Sequence, residues 1–129
     1  MELNDVLIVD DSEADQYLNR YRLLERQPSV TIRSAFDGVE ALNVLREVGY
    51  KPDLILLDIN MPRMNGFEFL EIYVDEFNGA TSSVVVMLTS SLLESDRQRA
   101  ESFKPVRGFL LKPLDASWPE RLLALDDDQ

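Results

Sequence analysis

The chain has no cysteine and no histidine. Without cysteine there is no disulfide framework and no thiolate metal site, which fits a reducing compartment. Without histidine there is no imidazole base, no phosphohistidine and no His-ligated zinc. Acid–base or metal chemistry has to rest on carboxylates, hydroxyls and amines. Positive charge is scarce as well: 13 Lys and Arg stand against 24 Asp and Glu, a formal charge of −11. Such a surface repels a phosphate backbone, which argues against nucleic acid as a partner. The first 20 residues show no basic stretch followed by an apolar one, so no signal peptide is expected. No apolar run approaches the roughly 20 residues needed to cross a bilayer. The expectation is a cytoplasmic protein without membrane association.

What is present is enough for one domain. The 129 residues, 45% of them hydrophobic, can build a single sizeable core. The domain is expected over residues 1–125, with 126–129 as a solvated acidic tail. Short aliphatic runs alternate with amphipathic stretches throughout. Residues 6–9 form a run ending at Asp10 and Asp11, and Ser12 can cap a helix reaching about Arg26. That helix carries Ala14, Tyr17, Leu18, Tyr21 and Leu24 at helical spacing. A strand over 30–35 and a helix beyond Asp37-Gly38 follow, the latter with apolar positions from Val39 to Val48. The run 54–57 stops at Asp58, a loop covers 61–66, and a helix carries Phe67, Phe69, Leu70, Ile72, Tyr73 and Phe77. Asn78-Gly79 reads as a turn, 84–88 as a strand ending at Thr89, and 94–103 as a polar helix. The last strand, 108–111, ends at Lys112-Pro113, and Pro119 suits the first turn of a short helix reaching Leu125.

Five such β/α units, with strands apolar on both faces, predict an α/β fold: a doubly wound, five-stranded parallel sheet with helices on both faces. Right-handed crossovers favour the flavodoxin-like strand order 2-1-3-4-5, whose ligands bind at the carboxyl ends of the strands beside the 1/3 switch point. Asp10, Asp11, Asp58, Thr89 and Lys112 then arrive at that edge from four separate strands. A lone aspartate at a strand end is an ordinary turn residue. The whole set is not easily coincidental. Clustered carboxylates repel, and a hard divalent cation such as Mg²⁺ relieves them without histidine or cysteine. Lys112 adds positive charge, leaving the Asp58 carboxylate as a nucleophile toward an incoming phosphoryl group.

These residues carry a resemblance. The acidic pair in Leu7-Ile8-Val9-Asp10-Asp11, the stretch Leu57-Asp58-Ile59-Asn60-Met61-Pro62 leading to Gly66, Met87-Leu88-Thr89-Ser90, and Phe109-Leu110-Leu111-Lys112-Pro113 occur in order. Over essentially its whole length the chain resembles a response-regulator receiver domain of the CheY-like, stand-alone kind. The resemblance implies a two-component phospho-accepting switch, not a conventional enzyme. Asp58 would be the phospho-acceptor. Asp10, Asp11, Asp58 and the Asn60 backbone carbonyl would hold Mg²⁺, with Asp10 acting mainly through bound water. Thr89 and Lys112 would bind the phosphoryl oxygens, and Phe109 would turn inward as Thr89 moves. The implied donor is a histidine kinase or a histidine phosphotransfer protein. The implied output is the face of the fourth helix, fifth strand and fifth helix, acting on a protein partner or relaying phosphate, as a monomer or a phosphorylation-dependent dimer.

Two features depart from the family pattern. The connection 103–107 lacks the small Ala/Gly-rich turn, and the last helix is short, with Trp118 as either a packing residue or an exposed partner anchor. Asn60, Ser90 and Ser91 flank the site and can tune hydrolysis through water access. Two other functions stay open on the residues alone. One is a Mg²⁺-dependent phosphatase with an aspartyl-phosphate intermediate, although Asn60 stands where many such enzymes carry a second acid. The other is a degenerate receiver serving as a constitutive binding module.

Overall fold

The computed structural model describes residues 3–77, 83–90 and 93–127. The turn expected at Asn78-Gly79, residue Ser91 and the last two residues of the expected tail lie outside them. Elements alternate as β1 (Asp5–Val9), α1 (Glu13–Arg26), β2 (Thr31–Ala35), α2 (Gly38–Leu45), β3 (Leu54–Leu57), α3 (Gly66–Glu76), β4 (Val84–Thr89), α4 (Glu94–Glu101), β5 (Val106–Leu111) and α5 (Trp118–Asp127). Among the described residues the five strands form one parallel sheet in the order β2-β1-β3-β4-β5. This is the expected doubly wound topology.

The central strands are aliphatic on both faces because helices cover both. One core joins Leu7, Val9, Ile55, Leu57 and Met87 to α2, α3 and Ala100 of α4. The other joins Val6, Ile8, Leu54, Leu56 and Leu88 to Leu23 of α1 and to Trp118 and Leu122 of α5. Alternate residues of one strand thus enter opposite cores, as the two-residue period of a pleated strand requires. Trp118 is buried at the start of α5, and its indole N–H donates to the Arg22 carbonyl at 2.9 Å. It packs the interior and is not a partner anchor.

Four local expectations shift. α4 ends at Glu101, two residues short of the expected 103. Val48 lies beyond the end of α2 and is fully exposed. β5 begins at Val106, two residues earlier than the apolar run indicates: Val106 pairs with Val85 and Gly108 with Val86, leaving Arg107 as the extra residue of an irregularity in the ladder. α5 continues two residues past Leu125.

The largest difference concerns α1. An amphipathic helix ordinarily lays its apolar stripe on the sheet. Here Tyr17, Tyr21 and Leu24 are exposed, and the buried positions are Gln16, Asn19 and Leu23. The Gln16 amide explains the choice of face. Its Nε2 approaches the carbonyls of Ile8 (3.0 Å), Asp10 (3.1 Å) and Ala35 (3.0 Å), joining the ends of β1 and β2 to the helix. Arg20 adds bonds to the Ile32 carbonyl and the Ser34 hydroxyl on β2. These buried backbone oxygens gain donors that an apolar face would not supply.

Candidate functional site

Parallel strands all end at the same edge, so chain order brings distant polar residues together. The Asp58 N–H donates to the Val9 carbonyl (2.9 Å), the Asp10 N–H to the Ala35 carbonyl (3.0 Å) and the Lys112 N–H to the Thr89 carbonyl (2.8 Å). Each residue just beyond a strand is therefore held in register with its neighbour. One carboxylate oxygen each from Asp10, Asp11 and Asp58 falls in a group within 4.8 Å of one another. Asp10 and Asp58 are buried and Asp11 is exposed. Lys112 reaches in from β5, with Nζ 2.7 Å from Asp10 Oδ2 and 3.5 Å from Asp58 Oδ1. Its third acidic neighbour is Asp15 in the first turn of α1, at 2.9 Å.

The electrostatics follow from burial. Asp58 is pushed up to about 6, mainly by loss of solvation; Lys112 works against this, and the Asp10 and Asp11 charges add to it. Lys112 is held above its ordinary value: burial opposes its charge, but Asp10, Asp15 and Asp58 outweigh that cost. One ammonium thus offsets only part of the negative charge gathered here. Asp10 Oδ2 is buried and meets the Lys112 ammonium at 2.7 Å. An all-oxygen set of three crowded carboxylates with one ammonium among them fits a hard divalent cation.

Thr89 is buried at the end of β4. Because Leu57 pairs with Met87, Thr89 stands on the strand adjoining Asp58 and near its level. Phe109 pairs with Met87 on β5 and packs, half-buried, against the core beneath α3 and α4. Asn60 lies exposed in the loop after β3, two residues past Asp58. Ser90 is also exposed beside the site.

The loop from Asp58 to α3 is fixed at both ends. A Cβ on Gly66 would sit 2.6 Å from the Asp58 carbonyl oxygen, so only glycine lets the helix start this close to the acceptor strand. The Gly66 N–H donates to the Ile59 carbonyl at 2.8 Å. Asn65 and Glu68 complete a capping box. Mid-loop, Arg63 adopts a left-handed conformation (φ 63°) and its Nε donates to Asp37 Oδ2 at 2.8 Å. Asp37 is buried and caps α2. Nothing local in the sequence marks Asp15, Gln16 or the Arg63–Asp37 pair as part of the site. Each looks ordinary alone: an acid in a first helical turn, a polar helix residue, a turn aspartate. Only contacts across 97, 19 and 26 residues reveal them.

An acidic crevice at the switch point of a doubly wound sheet, with one lysine spanning its carboxylates, defines the class: a small α/β domain built around charge at the carboxyl ends of β1 and β3. The chain belongs to the response regulator receiver domain family, whose pattern matches residues 6–123. It is 30% identical over 128 residues to the sensor histidine kinase CheAY of Helicobacter pylori, covering 96% of this chain but 15% of that protein. It is 35% identical over 94 residues to the polar-differentiation response regulator DivK of Brucella anthropi, covering 73% of this chain and 72% of that one. The crystal structure of a two-component response regulator from Cytophaga hutchinsonii superposes with a TM-score of 0.87 at 30% identity, over 100% of both chains. Receiver domains are phospho-accepting switches of two-component systems, receive phosphate from histidine kinases, and bind Mg²⁺ at an aspartate cluster.

Proposed function

We propose that Asp58 is the phosphoryl acceptor of this receiver and that Asp10, Asp11, Asp58 and the Asn60 carbonyl hold Mg²⁺ beside it. The observation that carries this is the convergence of a buried Asp58, two further carboxylates within 4.8 Å and the Lys112 ammonium at 3.5 Å. The donor is the phosphohistidine of a histidine kinase or a histidine phosphotransfer protein, since this chain has no histidine of its own. An Asp58 oxygen attacks phosphorus in line, the P–N bond breaks, and its electron pair leaves with the imidazole nitrogen. When bound, the Mg²⁺ offsets charge on the transferring group. Lys112 meets one phosphoryl oxygen and Thr89 donates its hydroxyl to another.

These new bonds are what move the domain. Carrying a two-state equilibrium from 1:99 to 99:1 takes about 5.5 kcal/mol of differential stabilisation. A hydroxyl bond together with charge-assisted bonds of about 1.5–3 kcal/mol each approaches that figure. Thr89 and Lys112 end β4 and β5, so the shift reaches Phe109 and the face formed by α4, β5 and α5. That face controls a protein partner in the cytoplasm or passes phosphate onward. The protein catalyses at most its own phosphorylation and dephosphorylation.

The test is incubation with Mg²⁺ and either acetyl phosphate or beryllofluoride, followed by amide NMR. Wild type is expected to shift at Thr89, Phe109 and Lys112, and Asp58→Ala to stay silent. A response retained in Asp58→Ala, or none in wild type, would sink the assignment. Rapid turnover of diverse phosphomonoesters would point to a phosphatase instead.

A further inference from the structure

Helix α1 opens with an acid that does not do the usual work of its position. Ser12 is the N-cap, its Oγ accepting from the Asp15 N–H at 3.1 Å, which puts Asp15 at the third helical position. An acid there commonly bonds back to the N-cap N–H, as Glu68 does to Asn65 at the start of α3. In α1 that N–H is already taken, donating to Asp10 Oδ1 at 2.9 Å. The Asp15 carboxylate reaches across to β5 instead and accepts from Lys112 Nζ at 2.9 Å. Among the described residues Asp15 has no other ion pair.

The lysine ammonium is therefore divided among three carboxylates. Asp10 lies at 2.7 Å, Asp15 at 2.9 Å, and Asp58, the residue the ammonium is to serve, farthest at 3.5 Å. The three differ in their access to water. The side chain of Asp10 is 2% exposed and that of Asp58 10%, whereas that of Asp15 is 36% exposed. Breaking the Lys112–Asp15 bond leaves an oxygen that water can solvate; breaking the Asp10 contact leaves a buried Oδ2 that water does not reach. A lysine turning toward a new anion at Asp58 gives up Asp15 first.

We propose that Asp15 is a positioning residue that holds Lys112 back from Asp58 in the unphosphorylated protein and releases it when a phosphoryl group arrives. This rests on Asp58 being the acceptor. Among the described residues no hydrogen bond or ion pair joins Asp15 to Asp58, and Asp15 acts through the lysine alone. It biases the resting state toward inactivity by competing for the cation that the phosphorylated state needs, and it ties the start of α1 to the end of β5 in the resting state only.

The experiment is a beryllofluoride titration at saturating Mg²⁺, followed by amide NMR, on wild type, Asp15→Asn, Asp15→Ala, Lys112→Met and the Asp15→Asn/Lys112→Met double variant. Thermal melts confirm that each variant is folded, and Asp15→Ala stands in if the amide finds a new partner. Both Asp15 variants are expected to bind beryllofluoride roughly tenfold more tightly than wild type, equivalent to ~1.4 kcal/mol. In the Lys112→Met background the same change is expected to gain less than about twofold, because the competition no longer exists. An equal gain in both backgrounds would make Asp15 a general source of negative field and overturn the proposal. So would no gain, or a loss, in the Asp15 variants. If wild type itself does not respond, the Asp58 assignment falls and this inference with it. If wild type responds, Asp58→Ala is silent and Asp15→Asn matches wild type, only the role of Asp15 falls.

Discussion

Helices α1 and α3 both follow a strand that ends in a site aspartate, and both carry an apolar stripe at helical spacing, yet they pack in opposite senses. α3 buries its stripe: Phe67, Phe69, Leu70 and Tyr73 enter the core, and Phe69, Tyr73 and Phe77 stack with centroids 5.5 and 5.4 Å apart. α1 turns most of its stripe to solvent, leaving Tyr17 74% and Tyr21 52% exposed, and seats itself on Gln16, Asn19 and Leu23. Apolar periodicity announces a helix without deciding which face packs. α3 meets the sheet through the apolar side chains of its core. Next to α1, at the crossover between β1 and β2, the sheet offers backbone carbonyls, and the face that can donate to them wins. α3 is held by its hydrophobic side, while α1 is fastened through polar contacts close to the site.

Equivalent truncations in the two stripes should show this difference most clearly. Phe69→Ala in α3 is expected to destabilise the fold by about 3–5 kcal/mol in urea unfolding, since a wholly buried ring leaves a cavity. Next in size is the charge gathered where the loops before both helices meet. Asp58 titrates near 6 in the fold against an ordinary 3.8, so the native state holds its proton more firmly than the unfolded chain does. The stability this confers is complete below pH ~4 and is lost as pH rises through about 6. Asp58→Asn should therefore be about 1–3 kcal/mol more stable than wild type at pH 7.5 with chelator present, and the advantage should vanish in melts near pH 4. An advantage that persists unchanged at acid pH would refute that account.

At the start of α3, Gly66→Ala drives a Cβ into the Asp58 carbonyl, and a loss of about 1–3 kcal/mol is expected, with NMR shifts concentrated in the loop 58–66. Gln16→Leu tests the polar seat of α1. It removes the amide shared by three carbonyls and should cost about 1–2 kcal/mol, with faster hydrogen exchange at the start of α1 than at the start of α3. The smallest effect belongs to the exposed stripe, where Tyr17→Ala should stay within about 0.5 kcal/mol of wild type. A large loss there would mean that the stripe packs after all.

Much of the fold was legible because its signals are local. Asp and Ser at the ends of aliphatic runs, Asp37-Gly38 before a helix and Pro113 after a strand punctuate the chain. Four-residue apolar runs such as 54–57 read as strands buried on both faces. The start of β5 was not legible, since an irregularity between Val85 and Val86 lets Val106 pair ahead of the apolar run. The site divides in the same way. Asp10, Asp11, Asp58, Thr89 and Lys112 stand at strand ends, where topology alone brings them to one edge. Asp15 and Gln16 stand inside a helix, and nothing local marks them.

Local sequence signals specify which segments become strands and helices, the parallel alternation of the sheet, and the residues delivered to its carboxyl edge. These depend on period, capping and strand length, all of which act within a few residues. Long-range packing settles which face of α1 meets the sheet, which carboxylates share the ammonium of Lys112, and that Trp118 lies inside. Those outcomes depend on where buried backbone oxygens need donors and on distances across the fold. Asp58 is the case where both levels meet: its place at the end of β3 was written locally, while its raised proton affinity comes from burial and from neighbours that only folding supplies.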